Sequence, residues 1–250
     1  MQILMDYYRV LREPTLAVDI VVPTFDLTRY KLVVAPSLNI ISDALAKHLT
    51  DYVEQGGHLV LGPRSGMKDE FNALHTRRQP GPLAPAVGGQ VEQFYALLES
   101  VPVAGAWGEG QSTVWAERLD PQASDAEVSL RYGPGNDWLT GEPAAMRRRL
   151  GKGTITYLGA VLDPSLMASV ARRWVREAGA TSPVLPAPTG VKVSRRVGNG
   201  REVYIITNFS GSGQEIPLPG PMTDAVNGGE VARLELPRYG VGVVWRPTGP

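Results

Sequence analysis

The segment from Tyr30 to Pro63 constrains the fold more than any other part of the chain. Apolar runs at 30–36, YKLVVAP, and at 58–63, HLVLGP, flank a helical segment, and a similar run at 17–23, AVDIVVP, precedes them. Unbroken apolar runs of this length are typical of strands that are buried on both faces of a parallel sheet. The order strand, strand, helix, strand predicts a doubly wound α/β sheet.

Two helices have well-marked ends in the sequence. Ser42 is a suitable N-cap for the helical segment, and Gly56 supplies its C-terminal stop. A second helix is predicted after the glycine-flanked strand at 151–163, with Asp163 as N-cap and Pro164 at the first helical position. Apolar stripes support both helices: Ile41, Leu45, Leu49, Tyr52 and Val53 in the first, and Leu166, Val170, Trp174 and Ala178 in the second.

The middle of the chain is less regular. Residues 76–112 hold several prolines and glycines, and we expect irregular structure there with one short helix, VEQFYALLES, at 91–100. Beyond a proline-rich spacer, SPVLPAPTG, the apolar period changes to two, and Asn199 between two glycines predicts a hairpin followed by three more strands. These patterns predict an α/β domain over 1–182, a linker over 183–189 and a small antiparallel β-sandwich over 190–250.

Composition excludes several functional classes. The 25 Lys and Arg residues balance 25 Asp and Glu residues, so no charge excess favours nucleic acid or anionic lipid as a partner. The absence of cysteine excludes disulfides, a thiolate zinc site and a thiol nucleophile, and the three histidines, His48, His58 and His75, form no ligand cluster. The amino terminus lacks signal-peptide character, and no apolar run approaches a membrane span. We therefore expect a cytoplasmic protein with no metal or cofactor.

The stretch LVLGPRSGMKDEFN at 59–72 places charges just past the end of a strand, where α/β proteins usually keep their active sites. A Ser65, His75 and Asp69 triad lacks the Gly-x-Ser-x-Gly elbow, and GKGT at 151–154 departs from the phosphate-loop pattern. Neighbouring Asp69 and Glu70 cannot easily face each other as a glycosidic carboxylate pair. We predict instead a polar clamp at a loop or subunit boundary, and expect Arg64→Ala or Asp69→Ala to loosen folding or assembly. The clamp residues are Arg64, Ser65, Lys68, Asp69, Glu70 and Asn72.

Aromatic residues offer a second kind of site, because aromatic rings stack on the apolar faces of sugars. Trp174 falls on a helix stripe and Trp245 on the last strand, which predicts that both belong to the core. Trp107, Trp115 and Trp138 lie in loop-rich sequence and are candidates for contact with a sugar or with another subunit.

The residues 26–72, DLTRYKLVVAPSLNIISDALAKHLTDYVEQGGHLVLGPRSGMKDEFN, carry a family resemblance, which continues in WAERLDP, RRRLGKGTITYLGAVLD and LPRYGVGVVW. The chain resembles the second and third domains of glycoside hydrolase family 42 β-galactosidases. The resemblance implies a flavodoxin-like or class I glutamine-amidotransferase-like trimerisation domain followed by a small antiparallel β domain. It also implies that the catalytic barrel of the family, with its two glutamates, has no counterpart in this sequence.

The resemblance leaves three hypotheses for function. The first is a non-catalytic assembly module that forms a homotrimer or joins a β-galactosidase barrel, and that helps to shape a neighbour's cleft. The second is a galactoside-hydrolysing component that is catalytic only with a barrel supplied elsewhere. The third is a carbohydrate-binding module that uses Trp107, Trp115 or Trp138 to bind galactosides.

Overall fold

The computed structural model describes residues 2–15, 17–135, 137–181, 185 and 187–248, and these form two compact units. The first unit contains the residues before Arg12 together with Ile20–Ala180. The second contains Arg12–Asp19 together with the residues from Thr181 onward. Within the predicted linker, Pro183, Val184 and Pro186 lie outside the described residues.

The first unit is built on a nine-stranded mixed sheet. Its strand order is β1-β2-β8-β7-β6-β4-β5-β3, and β9 pairs with β5. Strands β1, β2 and β8 pair in parallel, whereas every other pairing in this sheet is antiparallel. The strands are β1 Leu32–Ala35, β2 His58–Leu61, β3 Gly89–Ala96, β4 Val101–Gly105, β5 Gly108–Pro121, β6 Glu127–Tyr132, β7 Pro143–Leu150, β8 Gly153–Leu158 and β9 Ala160–Leu162.

Helices cover both faces of this sheet. The α-helices are α1 Gln2–Leu11, α2 Asp43–Glu54, the single turn α3 Ala84–Val87, which follows a 3-10 turn at Gly81–Leu83, and α4 Pro164–Glu177. Helices α1 and α4 contribute to one apolar core, and α2 and α3 contribute to the other. Strand β2 serves both cores, because Val60 points into the first while Leu59 and Leu61 point into the second. The predicted doubly wound α/β architecture is confirmed.

Local sequence signals located the longer helices correctly. The Ser42 side chain accepts a hydrogen bond from the main-chain N–H of Leu45 at 3.1 Å, as an N-cap should. The Asp163 side chain likewise accepts from the N–H groups of Ser165 and Leu166 at the start of α4. Helix α1 was not predicted, although its Tyr7 packs against Trp174 of α4 with 6.4 Å between ring centroids.

Three sequence predictions are corrected by the fold. The run 17–22 forms no strand, because apolar residues alone do not provide a neighbouring strand with which to pair. A turn closed by the hydrogen bond from Phe25 N–H to Val22 O follows it. The predicted helix at 91–100 is mostly strand β3, which pairs with β5 because long-range pairing outweighs weak local helical preference. The supposedly irregular middle, 76–112, contains β3, β4 and the start of β5.

The second unit contains one antiparallel five-stranded sheet in the order β10-β11-β14-β12-β13. The predicted hairpin joins β10 to β11, and Asn199 and Gly200 at its tip have φ of 50° and 70°, which suits a type I′ turn. Its core includes Tyr204, Ile206, Ile216 and Val244. The strands are β10 Val191–Gly198, β11 Arg201–Asn208, β12 Gln214–Asp224, β13 Glu230–Leu236 and β14 Val241–Pro247.

Candidate functional site

The segment after β2 begins with a buried serine that ties two strand ends together. The Ser65 hydroxyl donates to the carbonyl of Gly62 at 2.8 Å and accepts from the N–H of Leu38 at 3.1 Å. Since Leu38 follows β1 and Gly62 follows β2, Ser65 fixes the carboxyl ends of both strands. A Cβ at Gly62 would overlap the carbonyl of Pro36, so only glycine allows this close approach of the two backbones.

Asp69 organises the turn that follows. Its Oδ1 accepts from the N–H groups of Phe71 at 3.0 Å and Ala73 at 2.9 Å, and Lys68 Nζ donates to Asn72 Oδ1 at 2.9 Å. These bonds hold a tight turn over 69–73, with Phe71 84 % exposed. The turn therefore exposes an aromatic side chain to water, although the hydrophobic effect favours burial of such a side chain.

The six predicted clamp residues do not form one network. Ser65 joins the strand ends, Lys68 pairs with Asn72, and Asp69 holds the turn. Glu70 makes no hydrogen bond or ion pair with any described residue, and Arg64 belongs to a separate cluster around Glu117. The structure thus distributes the clamp over several local arrangements instead of one hydrogen-bonded knot.

The residues of the considered serine triad are bonded elsewhere. Ser65 is buried and donates to Gly62, while His75 Nε2 lies 2.8 Å from the carbonyl oxygen of Ile41. The Asp69 carboxylate accepts main-chain N–H groups of its own turn. This arrangement contains neither the nucleophile-base contact nor the base-orienting contact that a triad requires.

A buried carboxylate is the most unusual feature of the first unit, and the sequence interpretation missed it. Glu117 on β5 is fully buried, and its Oε1 accepts from the main-chain N–H of Arg64 at 2.9 Å and from Trp115 Nε1 at 3.1 Å. Its Oε2 accepts from the Tyr157 hydroxyl of β8 at 2.8 Å. Burial raises the pKa of Glu117, and these hydrogen bonds oppose the rise. The signal was present in WAERLDP, where Trp115, Glu117 and Leu119 alternate on one face of a strand.

Arg64, Trp115 and Phe94 form a stacked cluster beside this carboxylate. The rings of Trp115 and Phe94 lie 5.3 Å apart at an interplanar angle of 15°, and the guanidinium carbon of Arg64 lies 5.2 Å from the Trp115 ring centroid. Phe94 pairs across the ladder with Glu117, so Phe94 and Trp115 are diagonal neighbours on one face of the β3–β5 pair. We call these three residues the Arg64 stack.

The other two candidate tryptophans lie in contrasting environments. Trp107 is only 4 % exposed and contacts Trp174 edge to face at 5.9 Å. It therefore belongs to the core of the first unit, and its ring is not available to a sugar. Trp138 is 71 % exposed and remains the most accessible of the three.

The second unit has a shallow cavity of about 620 Å³ beside β13. None of the side chains that line it is aromatic, so it lacks the stacking surface expected of a sugar site; they are Asp224, Asn227, Val231, Ala232, Arg233, Leu234 and Glu235. The described residues contain no group of three or more His, Asp or Glu side chains arranged to hold a metal ion. Within the same residues, no helix combines the length and apolar character needed to cross a membrane.

The first unit is a mixed sheet with helices on both faces, and the second is a separate antiparallel sheet. These features define the class of this protein as a module of one α/β unit and one β unit. Residues 1–181 match the family model described as the β-galactosidase trimerisation domain, and the chain belongs to this family.

Curated relatives and solved structures agree with this assignment. The β-galactosidase Bga of Halorubrum lacusprofundi is 32% identical over 235 residues, which cover 88% of this chain and 32% of that protein. A solved structure of a β-galactosidase from the same organism matches with a TM-score of 0.81 at 31% identity, covering 99% of this chain and 36% of that one. Gan42B, a GH42 β-galactosidase from G. stearothermophilus, matches with a TM-score of 0.90 at 25% identity, covering 99% and 36%. The chain therefore spans about a third of the length of the proteins it matches.

Proposed function

We propose that this chain assembles a trimeric β-galactosidase and carries no catalytic site of its own. The observation that supports this most directly is the match of residues 1–181 to a trimerisation domain, combined with coverage of only about a third of the relatives. A catalytic barrel is the partner that the remaining two thirds of those relatives suggest. Galactosides would then be substrates of the whole enzyme, and the assembly would work in the cytoplasm.

The carboxylates of the chain fit this proposal. Retaining glycosidases need two carboxyl groups about 5 Å apart on either side of a sugar site. Glu117 is enclosed, and the groups that hydrogen-bond to it are an N–H, an indole and a phenol. Asp69 is occupied by the turn that it holds. Neither residue offers a free carboxylate as one member of a facing pair.

A cyclic trimer requires two different surfaces on each copy, because each copy contacts its two neighbours through different patches. One suitable apolar surface surrounds the Asp69 turn. Ile40 bridges to Lys68, which bridges to Leu74, so these residues lie side by side and Phe71 projects from the turn next to them. Ile40, Phe71 and Leu74 are all exposed, and association would remove them from water. We call these three residues the apolar turn surface.

A chromogenic β-galactoside separates assembly from catalysis. The purified chain should give no turnover above the rate of the uncatalysed reaction, because the carboxylates of Glu117 and Asp69 are already engaged within the fold. Clear turnover that co-purifies with the chain through two unrelated chromatographic steps would overturn the non-catalytic part of the proposal. The assembly part would still be judged by the molar mass of the chain.

The exposed side chain of Trp138 supports sugar binding as a second candidate function. Its exposed indole could stack on a pyranose ring. Titration of the chain with galactose or lactose, followed by tryptophan fluorescence, should show a saturable change that Trp138→Ala abolishes. A signal that does not saturate, or that persists in the variant, would remove this candidate.

A further inference from the structure

We propose that the Arg64 stack anchors each copy of this chain to the next, with the guanidinium of Arg64 binding a carboxylate of the neighbouring copy. This inference rests on the proposed trimer, and it names the residue and the chemistry by which one side of the contact works. It concerns residues other than the three of the apolar turn surface.

The Arg64 guanidinium is an exposed cation that no carboxylate within the described part of the chain neutralises. The guanidinium lies over the face of Trp115, and the carboxylate of Glu117 accepts from the main-chain N–H of Arg64 and not from its side chain. A planar guanidinium can bind a carboxylate through two parallel N–H bonds and stack on an aromatic ring at the same time. The stack therefore leaves hydrogen-bond donors of Arg64 for a partner.

The position of Arg64 is fixed before any partner arrives. Its N–H donates to Glu117 at 2.9 Å, and its carbonyl accepts from Asn39 Nδ2 at 3.1 Å. The backbone adopts a φ of 65°, which is uncommon for a residue with a side chain. A main chain that is already fixed has less conformational entropy to lose on binding, so this arrangement favours a preorganised contact.

A second residue with a positive φ lies next to the Arg64 stack. Val114, which precedes Trp115, has a φ of 60°, a value that is rarely tolerated by a β-branched residue. Strain of this kind persists where the surrounding structure imposes it, and it concentrates at binding and switching sites. Phe94, Val114 and Leu98 are also exposed, and the bond from Leu97 N–H to Val114 O brings these segments side by side.

A second copy of this chain is the occupant that these observations favour. Interface cores are enriched in aromatic residues and arginine, and the strongest contacts are often tryptophan, tyrosine and arginine. The family is described as a trimerisation domain, which makes another copy the natural partner. In a closed ring the acidic residue that meets Arg64 belongs to a different patch, so it need not lie near Arg64 in its own chain.

The test replaces Arg64 with glycine in the full chain and measures mass against concentration by sedimentation equilibrium. Arg64→Gly keeps the main-chain N–H that bonds to Glu117 and suits a φ of 65°, so its thermal midpoint should be unchanged or raised. The trimer dissociation constant should rise about tenfold or more, as expected for loss of an interface anchor. Arg149→Ala is the matched control, because Arg149 is another exposed arginine of this unit with no ion pair among the described residues.

Arg64→Lys provides a second variant that keeps the charge and the backbone of the original residue but loses the planar fork. It should also weaken the trimer, by less than Arg64→Gly. A wild-type trimer whose dissociation constant is unchanged in both variants would overturn this inference and leave the proposed function intact. A wild-type monomer at high micromolar concentration would overturn the proposed function and this inference with it.

Discussion

The main-chain N–H of Arg64 donates a hydrogen bond of 2.9 Å to Oε1 of Glu117, a residue 53 positions further along the chain. The same carboxyl group accepts from Trp115 and from Tyr157 of β8. One buried side chain therefore connects the segment after β2 with two other strands of the sheet. This carboxyl group therefore helps to hold the polar segment after β2 in place, together with the turns within that segment.

Replacement of Glu117 by alanine should destabilise the first unit strongly. It would leave three donors, Arg64 N–H, Trp115 Nε1 and Tyr157 OH, without their acceptor. An unsatisfied buried polar group costs about 1–3 kcal/mol, so the free energy of unfolding should fall by at least about 3 kcal/mol. Urea unfolding followed by tryptophan fluorescence measures this change. Glu92→Ala, which removes an exposed glutamate, is the control. An equally small loss of unfolding free energy in both variants would show that the hydrogen bonds to Glu117 do not stabilise the fold.

His58 should make the fold sensitive to acid. Burial lowers the pKa of His58 from its ordinary value of 6.5 to about 4. The charge of Glu177 opposes this shift by a smaller amount, and the charge of Arg147 adds to it. Between these values the unfolded chain binds a proton at His58 that the folded chain does not, so stability is lost as the pH falls from 6.5 towards 4. The loss attributable to this residue should approach roughly 3 kcal/mol.

The variant His58→Val isolates this effect, because valine suits the buried strand β2 and does not titrate. Unfolding free energies at neutral pH and at about pH 4.5 should show a smaller acid-induced loss in the variant than in the wild type. Equal losses in the two proteins would show that His58 does not carry the acid sensitivity.

Val114→Gly should stabilise the protein. Val114 is 69 % exposed at a φ of 60°, so glycine would relieve strain of about 1–3 kcal/mol while removing little buried surface. Its extra chain entropy costs about 0.5–1 kcal/mol, which leaves a net gain of about 1 kcal/mol. Val22→Gly is the control, since Val22 is also exposed but does not have a positive φ, and it should be neutral or destabilising. A thermal midpoint that falls equally in both variants would refute the strain at Val114.

Phe71→Ser should weaken self-association without weakening the fold. Phe71 is largely exposed at the tip of the turn that Asp69 holds, so folding gains little from its side chain. Analytical gel filtration across a dilution series should show earlier dissociation of the variant. Phe209→Ser removes an exposed phenylalanine from the second unit and should dissociate like the wild type. If both variants match the wild type, the apolar turn surface is not part of the interface.

Sequence reasoning succeeded where the determining residues are neighbours in the chain. Ser42 and Asp163 cap their helices through bonds to residues two or three positions away, and Asn199 with Gly200 closes a local hairpin. It failed where partners are distant. Strand β3 depends on pairing with β5, and the donors that surround Glu117 come from segments that only the folded sheet brings together.

The molar mass of the chain in solution tests the central claim most directly. Light scattering on a gel-filtration peak at high micromolar concentration should give about three times the 27.0 kDa of one chain, and the mass should fall on dilution. Arg149→Ala should reproduce this result, while Arg64→Gly should dissociate at higher concentration. A constant mass of one chain at every concentration would contradict the account that this module assembles the enzyme.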